Sequence, residues 1–231
     1  MRATVTECDD SFIFRLSDVA PGDLGAIQAD YYTPDGDGYT KTFSRNAPYI
    51  DDAAANFVRY AEQLYGETLT AGSNLWREGL LHFLDTMEGS GIGWFLIGSC
   101  VLAVKGLDVV PRGVDVVFPQ VSDLPRVRDL FGPDTFQPLM ECEGWVAAAY
   151  GEAFHGCRIS MAFMTQNCLD TPEPDGSGPS DSGPYAASHL ETAIWEGREV
   201  PVPPMQLLLN INRRRGRTER VRQITEYLSN P

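Results

Sequence analysis

The chain has no apolar run approaching the roughly 20 residues that a membrane-crossing helix needs, and its opening residues, MRATVTECDD, lack the apolar stretch of a secretory leader. A cytoplasmic protein with no membrane partner is the expectation. There is no CxxC pair, and the cysteines (Cys8, Cys100, Cys142, Cys157 and Cys168) are odd in number. A disulfide framework and a zinc ribbon are both disfavoured by this pattern. Cys142, His155, Cys157 and Cys168 match no common zinc spacing, so buried free thiols are expected instead. His82 falls on or near the apolar face of a helix with no second His or Cys at ligand spacing, and reads as a core histidine. Positive charge is also short: 18 Lys and Arg face 32 Asp and Glu, a net charge of −14. A surface of that sign does not wrap a nucleic-acid backbone. The local exception is the run Arg213, Arg214, Arg215, Arg217, Arg220 and Arg222. It reads either as a solvated helix face offsetting nearby acids or as a site for a triphosphate, an acidic partner or RNA.

What remains is an ordinary globular composition, 43% hydrophobic and 22% charged over 231 residues, enough for one good core with or without a small appendage. Residues 1–72 read as a small N-terminal α+β module of unassigned role. Phe12 to Leu16 and Tyr39 to Phe43 alternate as strands do. Asp35-Gly36-Asp37-Gly38 lacks the distal glutamate of a calcium loop and reads as a hairpin turn. Ala54, Phe57, Val58, Ala61, Leu64 and Tyr65 share a helical face, with Asp51 placed to cap its start and Gly66 its end.

Residues 73–231 read as a second, larger domain. A helix carries Trp76, Leu80, Phe83, Leu84 and Met87 on one face and is stopped by Gly89, Gly91 and Gly93. Next comes the stretch around which the chain is organised, WFLIGSCVLAVKGLDVVPRGVDVVF, from Trp94 to Phe118. An apolar strand breaks at Gly98-Ser99, a short helix runs to Gly106, and a second apolar strand holds one embedded acid, Asp115. A turn of this kind presents amide donors to an anion, and the neighbouring carboxylate suits a hard cation. Further on, a helix is expected through Pro125 and Phe131, and a strand from Cys157 to Phe163. A mobile surface loop is expected from Thr171 to Pro184. An edge strand at Val200-Pro201-Val202 and two C-terminal helices complete the reading.

The ordered set from Trp94 to Phe118 resembles the signature of the nucleotidyltransferase superfamily of the DNA polymerase beta type. The resemblance implies an α+β fold, a mixed sheet flanked by helices, preceded here by the small N-terminal module. It places Gly98 and Ser99 on the phosphate-binding turn, Arg112 near the nucleotide, and Asp115 as a catalytic and magnesium-binding carboxylate. It also implies a nucleoside triphosphate as substrate or ligand. The chain departs from the pattern where the partner acid would stand, at Val117, and where an arginine is common, at Pro111. On the later strand the inward candidates are Arg158 and Ser160, not an acid; Glu152, Asp108 and Asp123 are the nearest substitutes. Three functions stay open. The leading one is a degenerate relative with weak or no transfer of a nucleoside monophosphate, binding a nucleotide or a protein partner as regulatory and toxin–antitoxin members can. The others are an active magnesium-dependent transferase acting on a small-molecule, protein or RNA acceptor, and a structural or interaction domain.

Overall fold

The computed structural model describes residues 1–66, 75–143, 147–164 and 178–229. The expected boundary at 72–73, Cys168 and residues 171–177 of the proline-glycine stretch lie outside the described residues.

Near the N-terminus β1 (Arg2–Glu7), β2 (Ser11–Ser17), β3 (Thr33–Asp35) and β4 (Gly38–Ser44) form an antiparallel sheet in the order β1-β2-β4-β3. Along β2 the alternation is strict, with Phe12, Phe14 and Leu16 buried. The Asp-Gly-Asp-Gly run is the β3–β4 turn, and Arg15 takes its carboxylates, reaching Asp35 Oδ2 at 2.8 Å and Asp37 Oδ1 at 2.7 Å. Helices α1 (Leu24–Ala29) and α2 (Ile50–Tyr65) follow the strands in sequence as β2-α1-β3-β4-α2. α2 buries Ala53, Phe57, Ala61 and Tyr65 at four-residue spacing, while Val58 is exposed. The helix begins one residue ahead of Asp51, behind a left-handed Tyr49, so Asp51 and Asp52 lie in the first turn, where acids favour the helix dipole.

The second sheet is assembled from α3 (Leu75–Met87), β5 (Phe95–Ile97), α4 (Gly98–Val104), β6 (Gly113–Phe118), α5 (Leu124–Phe131), β7 (Thr135–Glu141), β8 (Ala147–His155) and β9 (Cys157–Met164). Its strand order is β5-β6-β9-β8-β7, with β6 and β9 parallel and the other neighbours antiparallel. α6 (Pro184–Ser188), a hairpin of β10 (Glu191–Trp195) and β11 (Arg198–Val202), α7 (Met205–Arg214) and α8 (Thr218–Ser229) follow. The architecture is α+β, a mixed sheet flanked by helices. The succession of helix, strand, Gly-Ser turn, helix and acid-bearing strand is the one the sequence pattern implied.

Alternation along β6 decides what faces what. Val114, Val116 and Phe118 enter the main core with Trp76, Leu80 and Phe83 of α3. Val117, on the Asp115 side, packs with Phe95, Ala186 and Leu207 in a separate small cluster. Asp115 therefore lies on the face roofed by α6 and α7, opposite α3.

The N-terminal core is not closed by the N-terminal residues alone. Phe136 of β7 and Phe154 of β8 belong to it. Phe57 and Phe136 have ring centroids 5.8 Å apart, and Tyr60 stacks on Phe154 at 4.6 Å. Polar ties reinforce the join: Lys41 Nζ donates to Gln137 Oε1 at 2.6 Å, and Asn56 Nδ2 donates to the carbonyls of Pro133 and Thr135, each at 2.9 Å.

Candidate functional site

Gly98 adopts φ +68°, a backbone conformation L side chains rarely accept, and a Cβ there would lie 3.2 Å from Asp115 Oδ2. The turn is thus shaped so that the strand-borne carboxylate packs directly onto it. Across the parallel ladder Asp115 is paired with Ser160, whose side chain hydrogen-bonds the carboxylate. Ser99, next along the turn, is partly exposed and has no hydrogen-bond partner among the described residues.

A second carboxylate reaches the same place from outside the sheet. Asp181, just before α6, is buried, and its Oδ2 accepts a hydrogen bond from the Gly98 amide at 3.2 Å. Gly98 thus meets both Asp115 and Asp181. Burial pushes the pKa of both acids up, more than nearby positive charge pulls it down. The opposing attractions come first from Arg158 at Asp115, first from the Gly98 amide at Asp181, and from Arg215 at both. Asp115 keeps partial solvent contact even so, which places it in a recess rather than a sealed core.

The arginines beside these acids are crowded. Arg217 has its pKa lowered by desolvation and then by Arg215, with Asp115 and Asp181 opposing. Arg220 is lowered by desolvation and then by Arg217, Arg112 and Arg215. None of the side chains of Arg112, Arg215, Arg217 and Arg220 has a hydrogen-bond or ion-pair partner among the described residues, although the chain is strongly acidic. By contrast Arg222, in the same run, is held by Glu219 and Glu226. The basic run is therefore divided: Arg222 is neutralised on the surface, and the residues from the α7–α8 turn approach the acids. Arg112 is exposed and also borders a cavity of about 580 Å³ with Asp23, Tyr65, Trp76 and Arg158.

Arg158 extends the polar seam toward the N-terminal sheet. Its Nη1 lies 3.0 Å from both carboxylate oxygens of Asp30 and 3.6 Å from Glu152. Desolvation opposes its charge, but Glu152 and Asp30 together outweigh that and raise its pKa. Glu152, 1% exposed, accepts from Tyr150 Oη at 2.6 Å. Glu152 is thus engaged in the seam, and Asp123 pairs with Arg126 at 3.0 Å.

Asp181 escaped the sequence reading because it sits in a Pro-Ser-Asp-Ser-Gly-Pro stretch without periodicity, 83 residues from the amide it meets. The available signal was compositional: an acid immediately ahead of a Gly-Pro helix start.

No family model and no curated protein matches the sequence. Among solved structures the fold is similar to that of a Thermotoga maritima protein described as a candidate nucleotidyltransferase, with a TM-score of 0.46 and 15% identity over 66% of this chain and 91% of that one.

Proposed function

We propose that the recess at Gly98 binds a nucleoside triphosphate together with magnesium, in a nucleotidyltransferase-like protein whose transfer activity is weak or lost. One observation carries this reading: Asp115 and Asp181 meet at a single glycine under the charge of Arg215 and Arg217, whose side chains have no hydrogen-bond or ion-pair partner among the described residues. The donor set fits the metal. Both acids offer only oxygen, the ligand class magnesium takes. Burial leaves their charges under-compensated, a deficit that a divalent cation relieves. Bound there, magnesium would neutralise phosphate charge and orient the phosphate chain. Arg215, Arg217 and Arg220 supply charge-assisted hydrogen bonds for phosphate oxygens, and Ser99 offers a free hydroxyl at the turn. Ser160 orients the Asp115 carboxylate.

Reduced transfer follows from what stands beside Asp115. Val117 is 2% exposed within an apolar cluster, and Ser160 occupies the facing strand position. A shared two-metal centre calls for more converging acids than this. Binding is tested by melting the protein with magnesium and each of the common ribonucleoside triphosphates. A concentration-dependent rise in Tm that requires both components supports the reading; an unchanged Tm throughout refutes it and leaves an interaction domain.

The second reading, an active transferase, is favoured by Asp181, which brings a second acid to the turn. An α-labelled nucleotide decides between the two. Label passed to the protein or to an added acceptor, and abolished by Asp115→Ala, marks an enzyme. Binding without transfer marks the degenerate relative, whose partner is then the nucleotide itself or a protein that senses it.

A further inference from the structure

On the opposite side of the sheet from Asp115, we infer that His82, Asp134 and His155 form a binding site for a first-row divalent metal ion of the zinc type. The chain has three histidines, and the fold brings two of them into ring contact. His82 and His155 stack with centroids 3.8 Å apart and planes 6° from parallel. His82 Nε2 lies 2.7 Å from Asp134 Oδ2. One ligand atom from each residue falls within 4.8 Å of the other two. Metal–ligand bonds of about 2.0–2.2 Å in a tetrahedral arrangement separate neighbouring donors by roughly 3.3–3.5 Å. A cation can enter this triangle once the two rings swing out of their stack, each turning an in-plane nitrogen lone pair toward it, and the contact between His82 and Asp134 opens.

The three ligands stand on separate, well-supported elements. His82 belongs to α3, whose neighbours Leu80, Phe83 and Leu84 are core residues. Asp134 ends the short helical turn after α5, and the backbone on both sides of it is fixed by Asn56, which donates to the carbonyls of Pro133 and Thr135. His155 closes β8 at a tight turn through Gly156, φ +68°. Such support is what keeps a metal site in register before the metal arrives.

Two imidazoles and one carboxylate suit zinc, cobalt or nickel and do not suit magnesium, which prefers oxygen alone. The site is open on one side. His155 is exposed and, with Asp134, borders a cavity of about 370 Å³ lined also by Asn56, Tyr60, Gln63 and Phe154. A fourth position can therefore take water or a small anionic ligand, as in metal sites of three protein ligands. The expected core role of His82 is only half met: its side chain is 24% exposed and paired.

The test is cobalt(II) and zinc titration of the reduced, chelator-treated full chain, followed by visible absorption and calorimetry. One equivalent should bind, and the cobalt spectrum should show ligand-field bands with no thiolate charge-transfer band. His155→Ala alters an exposed side chain, and Asp134→Asn keeps size and a hydrogen-bonding oxygen; each should weaken binding at least about tenfold. Asp115→Asn should bind zinc as the unaltered protein does. Absence of saturable binding overturns the site. So does wild-type affinity in both ligand variants, which takes the metal off the triad, or a sulfur-to-cobalt band, which places it on a cysteine.

Discussion

The Asp181 carboxylate caps the Gly98 amide at 3.2 Å across 83 residues of sequence, so the turn expected to meet phosphate is already in contact with an anionic group of the chain itself. Asp115 abuts the same glycine. If both acids serve one magnesium ion, Asp115→Asn and Asp181→Asn should each remove most of the magnesium dependence of nucleotide affinity. Calorimetry with and without magnesium measures it, and at least a tenfold loss of the magnesium effect, about 1.4 kcal/mol, is expected from either substitution. A variant that keeps the full effect takes that acid out of the site.

The crowded arginines make a prediction with two readouts. Arg217 and Arg220 are charged at a cost, from desolvation and from the neighbouring arginines, Arg215 at Arg217 and Arg217 at Arg220. Arg217→Ala should weaken tripolyphosphate and nucleotide binding about tenfold, the loss of one charge-assisted contact of about 1.5 kcal/mol. It should leave the Tm of the free protein unchanged or higher, because like-charge repulsion falls. An arginine serving only the fold would show the reverse pattern.

Glu152 supplies the pH dependence. Burial is the largest effect on it and pushes its pKa above the ordinary glutamate value of 4.5, with the attraction of Arg158 second and opposing. Its Oε2 atom has no hydrogen-bond partner among the described residues. The folded chain therefore holds a proton there that the unfolded chain has released, and this contribution to stability declines as pH rises from about 4.5 through the folded-state pKa. In Glu152→Gln that decline should vanish. Melting curves of the two proteins from pH 4 to pH 8 should diverge upward in favour of the variant; parallel curves would mean the carboxyl is ordinary.

The aromatic join between the sheets sets the unfolding behaviour. Phe136 is 2% exposed and touches Phe57 and Tyr65 of α2. Phe136→Ala should cost about 3–5 kcal/mol. Although the residue belongs to the second sheet, probes in α2 and in β6 should lose structure together, as followed by hydrogen exchange. Destabilisation confined to one sheet would contradict the shared core.

Much of the fold could be read from periodicity. α3, α7 and α8 announce themselves by apolar spacing and β2 by alternation, since each has a buried and a wetter face, whereas β6 reads as an apolar run because both of its faces are covered. β1 did not, because its residues are all partly or fully exposed and carry no apolar alternation. The β7–β8 hairpin was obscured for a different reason. Its residues include Ala, Gly and Glu, and Gly151 is squeezed against Leu139, where a Cβ would lie 2.4 Å from Leu139 Cα. Close backbone approach leaves little hydrophobic signature. The acid at 115 and the glycine at 98 stand in one recognisable stretch, whereas Asp181 and the pair of His82 with His155 are juxtaposed only by tertiary folding. Long-range meetings of single polar residues have no local pattern to betray them.

The intrusion of Phe136 and Phe154 into the N-terminal core bears on how this protein could be divided. Pulling the halves apart would strand two phenylalanines in water on one fragment and open a matching hollow on the other. Recombination that traded one half for a foreign sequence would therefore have to carry those two rings along.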